Sequence, residues 1–146
     1  MKKFIGYLSA TLVSSLISLP TLAQSIECPS VAYLHGHSAL LDSPRITDNG
    51  NYYVESSTLF FTNQHYWRLG AEIYADDKKT VSSTAAISYA KSAARHTNGI
   101  EEVSTNPTSQ VCDYQVASSD KHTRYLWAYT DFDGQVPSLN TPMARR

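Results

Sequence analysis

Two histidines and a short aromatic run are the side chains in this chain whose type and spacing could support chemistry. His35 and His37 are two positions apart, so on a strand both imidazoles would project to one face, as two ligands of a zinc site do. His65, His96 and His122 could complete such a site, but each falls on an expected loop or helix end that spacing alone does not bring to the pair. The plainer reading of all five is solvated loop histidines. Tyr125 and Tyr129 flank Trp127 at alternate positions and would share a strand face. A tyrosine phenolate is a hard ligand for ferric haem, and Arg124 beside it could pair with a propionate. On a regular strand the two tyrosine Cα atoms stand about 13 Å apart, so both phenols reach one iron only across a bulge. The competing reading is a strand whose aromatic face packs on a helix.

Catalytic signatures fail on inspection. Gly36-His37-Ser38-Ala39-Leu40 begins like the Gly-x-Ser-x-Gly elbow of serine hydrolases, but Leu40 stands where the second glycine lets the chain turn sharply. Cys28 and Cys112 are too few for a zinc knuckle and lack Cys-x-x-Cys spacing. They read as a disulfide enclosing most of the chain, and no group reads as an enzyme's nucleophile.

The elements that must position these groups read as follows. Residues 31–35 suit a first strand, and Asp42-Ser43-Pro44 through Asn49-Gly50 is turn chemistry expected to form a loop. Tyr52 to Phe61 is rich in β formers, and Trp67, Leu69, Ala71 and Ile73 alternate with Arg68, Gly70 and Glu72. Thr62-Asn63-Gln64 links them as a hairpin. Trp67, Leu69 and Ile73 should face inward, with Arg68 and Glu72 in water. Ser82 or Ser83 can cap a helix that runs to about Arg95, with Ala86, Ile87, Tyr89, Ala90, Ala93 and Ala94 on one side and Thr97-Asn98-Gly99 as its stop. Glu101 to Ser109 has no period and should cross the surface. Cys112, Tyr114 and Val116 share one strand face, and Arg124 to Thr130 returns as the most aromatic strand. The expected fold class is α+β: an antiparallel sheet of four or five strands, one packed helix and one disulfide.

Length and charge bound the rest. Met1-Lys2-Lys3, the apolar run to Leu19 and the small residues Thr21 and Ala23 form an export signal with cleavage after Ala23. The run is interrupted by serines and is too polar to read as a membrane span. From 146 residues, removal of the first 23 leaves 123, enough for one domain over 24–132 with a polar tail over 133–146. Loss of Lys2 and Lys3 leaves 10 basic residues facing 13 acidic ones, a balance of −3 that disfavours nucleic acid or an anionic membrane as partner. An exported chain with one pair of cysteines oxidises it.

The export signal, Cys28-Pro29 at the mature start, the Tyr66-Trp67 strand and the late Cys112-Asp113-Tyr114 together resemble short secreted proteins of gammaproteobacteria, some of them described as hemin-binding. The resemblance runs from Cys28 to about Tyr129. It implies a periplasmic or secreted binding protein, non-enzymatic and with no required cofactor, whose ligand is haem or whose partner is a host or bacterial protein. It assigns no ligand residue; Tyr125, Trp127, Tyr129 and Arg124, or His35 and His37 as metal ligands, are candidates from the residues themselves. The alternative class is a small secreted enzyme or enzyme inhibitor.

Overall fold

The computed structural model describes residues 26–74, 81–105 and 108–131; the export signal and the tail over 133–146 lie outside them. Within these residues the class is α+β, as expected, but the sheet has seven antiparallel strands rather than four or five. In chain order the elements are α1 (Val31–His37), a 3₁₀ turn (Ser38–Leu40), β1 (Leu41–Ile46), β2 (Tyr52–Ser56), β3 (Phe60–Thr62), β4 (His65–Ile73), α2 (Ser83–His96), β5 (Ile100–Thr105), β6 (Ser109–Tyr114) and β7 (Thr123–Asp131). The strand order is β1-β2-β4-β7-β6-β5, with β3 also on β4. No helix among the described residues is long and apolar enough to cross a membrane.

The nine residues of β4 organise the sheet. Gly70 to Ile73 pair with β2, and His65 to Trp67 pair with β3, so the expected long strand from Tyr52 to Phe61 is broken at Ser57–Leu59 into two pieces that share one edge of β4. The β3–β4 hairpin closes through Asn63 and Gln64 at φ 51° and 65°, the twist a two-residue hairpin loop needs. On its other edge β4 pairs with β7 in continuous register from Arg68↔Tyr129 to Glu72↔Tyr125.

The expected helix is present with its cap: the Ser82 hydroxyl accepts from the Ala85 amide. Ala86, Ala90, Ala93 and Ala94 are buried, and these short side chains let α2 lie close across β1, β2, β4 and β7. A different cover closes the same face over β6. Three alternate residues of β6 hold the segment that precedes α1: the Gln110 side-chain amide donates to the Ile26 carbonyl and accepts from its amide, Cys112 is bonded to Cys28, and the Tyr114 hydroxyl donates to the Pro29 carbonyl at 2.6 Å. All three are buried, so the N-terminal segment completes the core that α2 begins.

Three sequence expectations are overturned here. Residues 31–37 form a helix rather than a strand, because the Ser30 hydroxyl caps it by accepting from the Tyr33 amide and Leu34 packs into the core. The Asp42-Ser43-Pro44 segment is an edge strand rather than a loop; Pro44 is tolerated because β1 has a neighbour on one side only. Ile100 to Thr105 is the opposite edge strand, exposed at every residue, which explains why no buried period marks it.

Candidate functional site

The histidine pair does not form. In α1, His35 and His37 point apart: the His35 Nε2–H donates to the Thr97 carbonyl at 2.8 Å, closing the end of α2, and the His37 Nδ1–H donates to Tyr33 at 2.9 Å. A carbonyl only accepts, so each contact fixes the ring tautomer. The His37 ring also stacks on Tyr33, with centroids 3.9 Å apart. Both imidazoles are structural, and no group of three or more metal-ligating side chains occurs among the described residues. Ser38, the centre of the hydrolase-like match, is buried; its hydroxyl donates to the His35 carbonyl and accepts from Arg95 Nε, with no base beside it.

The aromatic run behaves differently. Tyr125, Trp127 and Tyr129 alternate onto the sheet face opposite α2, where register sets them beside Glu72, Gly70 and Arg68 of β4. Trp127 lies against the backbone of Gly70: a Cβ added there would stand 2.3 Å from the indole Cε2. Tyr53 meets the same indole edge-on at 5.9 Å. Trp127 and Tyr129 are 4% and 9% exposed and form a floor, while Tyr125 is half-buried at its rim with the Arg124 guanidinium 5.1 Å from its ring centre. The register is unbroken between Tyr125 and Tyr129, so no bulge brings the two phenols to one iron.

Charged groups share this face, against expectation. Arg68 is 2% exposed and Glu72 8%, although alternation along β4 had put both in water. Glu72 accepts from Asn51 Nδ2 at 3.1 Å, and Glu55, 7% exposed, is paired with Arg45. In register Arg68 stands opposite Tyr129 and Glu72 opposite Tyr125, and each carboxylate keeps a named partner, as a buried charge requires.

A second constellation was not visible in the sequence as a unit. His96, at the end of α2, and His122, in the β6–β7 loop, line one cleft of about 350 Å³ together with Tyr89, Ser92, Asp120 and Lys121. Tyr89, Ser92 and His96 recur at helical spacing along one stripe of α2. The Asp120 Oδ1 accepts the amides of His122 and Thr123, both at 2.9 Å, and the Asp120 amide donates to Ala117, which together set the loop. The His122 ring then stacks on Tyr89, centroids 4.0 Å apart and planes 12° from parallel. Ser92 Oγ lies 3.4 Å from His96 Nδ1, longer than a nucleophile's bond to its base, and that nitrogen already donates to the Ser92 carbonyl at 2.8 Å and cannot take the hydroxyl proton. His65 is at the start of β4, apart from this pair.

No protein-family model, curated protein or solved structure matches this chain. The functional reading therefore rests on its residues and their geometry.

Proposed function

We propose that the protein is a small extracytoplasmic binding protein, non-enzymatic, exported to the periplasm or beyond, with haem as its ligand. The disulfide supports the compartment, since such bonds persist where the surroundings are oxidising. The observation that carries the ligand is Tyr125: a half-buried phenol at the rim of an aromatic floor, with a guanidinium beside it. The phenolate would ligate ferric iron, and Arg124 would pair with a propionate. Tyr129, deeper and on the far side of Trp127, supports the floor rather than the metal.

Titrating the mature protein with hemin and following the Soret band tests this. A saturable change is expected, weakened about tenfold or more, ~1.4 kcal/mol, by Tyr125→Phe, which keeps the ring and removes the anionic oxygen. The His35→Ala, His37→Ala double variant should bind as the parent does. Loss in that variant with Tyr125→Phe unaffected transfers the ligand role to α1, and no saturable change removes haem as the ligand.

A further inference from the structure

The two outer strands of the sheet are built differently. At one end of the strand order stands β1, which is blunted against further pairing: Pro44 supplies no backbone donor, Arg45 carries a charge, and the register breaks between Leu41 and Ser43. At the other end stands β5, paired with β6 and with no other strand among the described residues, and exposed at every residue. It contains no proline, and after a register shift between Ile100 and Glu102 it runs regularly from Glu102↔Asp113 to Thr105↔Gln110. Alternate residues of an edge strand direct both backbone N–H and C=O away from their one neighbour, so this stretch presents a ladder on which a further strand can form.

The side chains along that ladder select the strand. Glu101 and Glu102 are consecutive and exposed, and neither carboxylate makes a hydrogen bond or an ion pair among the described residues. Register sets Glu102 beside Asp113, and neither β5 nor β6 carries a basic residue. Like charges directly opposite one another are unfavourable, and a cation on the open side of Glu102 offsets that cost. Val103 is 48% exposed and lies on the other face of the strand from Glu102, so the edge offers an acidic and an apolar position to alternate side chains of an incoming strand. The same carboxylates disfavour a second copy of this chain, which would bring its own Glu101 and Glu102 to the seam.

We propose that β5 is a docking strand for an extended, basic segment of another polypeptide, which adds to the sheet as its next strand. Backbone hydrogen bonds to residues 102–105 supply the affinity; a lysine or arginine beside Glu102 and an apolar side chain beside Val103 supply the choice of partner. The surface uses none of the residues at the Tyr125 rim.

Titrating the mature protein with a short synthetic peptide of alternating lysine and valine, while following backbone amide signals and their exchange by NMR, tests this. Saturable shifts along β5 and β6 and none along β1 are expected, with alternate amides of β5 slowed in exchange when the peptide is bound. The same peptide with every backbone nitrogen methylated keeps its charges and loses its donors, and should not bind; nor should a peptide of alternating glutamate and valine. The Glu101→Gln, Glu102→Gln double variant, at exposed positions, should weaken binding of the lysine peptide about fivefold, the loss expected for two exposed ion pairs. Tyr125→Phe should leave it unchanged, which separates this surface from the hemin reading. Equal binding of the methylated peptide would mean charge attraction without strand addition and would overturn the proposal. So would equal binding of the glutamate peptide, a double variant that binds as the parent does, or no saturable shift. Amides of β5 already protected on both edges before any peptide is added would overturn it too, because this chain or a second copy of it would then fill the edge.

Discussion

On the helix side of the sheet, Val54, Ala71, Leu126, Ala128 and Ile73 are buried beneath α2, and Gln110, Cys112 and Tyr114 are buried beneath the segment at 26–29. On the other side the buried residues include Glu55, Arg68, Glu72, Trp127 and Tyr129. Both faces exclude water, yet by different means. The first does so with apolar area and a covalent strap, and Gln110 and Tyr114 meet the backbone of the N-terminal segment. The second sets aromatic residues beside charged ones, of which Glu55 is paired with Arg45 and Glu72 with Asn51. Apolar burial is tolerant of small shifts in position, whereas buried charges are stabilising only with their partners in place. The second face is therefore the more specific of the two, and the one on which a change of one atom should be felt as geometry rather than as lost area.

The strap on the helix side carries the largest effect. The bond joins residues 84 positions apart, and replacing Cys28 and Cys112 together with serine should cost roughly 4 kcal/mol by loop entropy. Because β6 also holds the N-terminal segment through Gln110 and Tyr114, amide exchange should rise first at residues 26–28 and along β6, and only later in β4 and β7. Urea melts with site-resolved exchange check this; uniform loss of protection across the sheet would mean that the two covers act as one.

On the opposite face the sharpest probe is Gly70→Ala. Its new methyl would fall 2.3 Å from the Trp127 ring, so the indole or the β4 backbone must move, at about 1–3 kcal/mol for overpacking. Trp127 fluorescence should shift as the ring leaves its seat against Gly70 and Tyr53. A Gly70→Ala protein with the parent's melting temperature and spectrum would show that the seat is loose, and with it the rim at Tyr125.

Much of the helix side was legible before the structure, for a physical reason. The alternation of Trp67, Leu69, Ala71 and Ile73 and the alanine stripe of α2 mark surfaces buried against one another, and burial leaves a period. The disulfide was legible from a single pair of cysteines behind an export signal. Elements that bury little left no period: β5 is exposed throughout, and β1 carries a proline that only an edge position tolerates. The α1 helix was misread because seven residues hold too few turns to show a period against the loose alternation of Val31, Tyr33 and His35. Arg68 and Glu72 were assigned to water because polarity is normally a sign of exposure; opposite them in register stand Tyr129 and Tyr125 of β7, which no local pattern brings to β4. The cleft needed the fold as well, since nothing local joins His96 to His122.

The smallest effect tests the helix side again, through Tyr114. Burial pushes its phenol well above the usual tyrosine range, so the folded chain favours the neutral form, which donates to the Pro29 carbonyl. A group whose folded value is raised contributes stability that is fully present below its unfolded value, about 10 for tyrosine, and that is lost as pH climbs from there through the raised value. Tyr114→Phe removes both the hydrogen bond and this dependence. At neutral pH the variant should be less stable by about 1 kcal/mol. Above pH about 10 the parent should lose stability faster with pH than the variant, so the two curves converge. Denaturant melts of both proteins across that range measure it: parallel curves would mean that the Tyr114 hydroxyl is not held away from water, and that the N-terminal segment is kept in place by the disulfide and Gln110 alone.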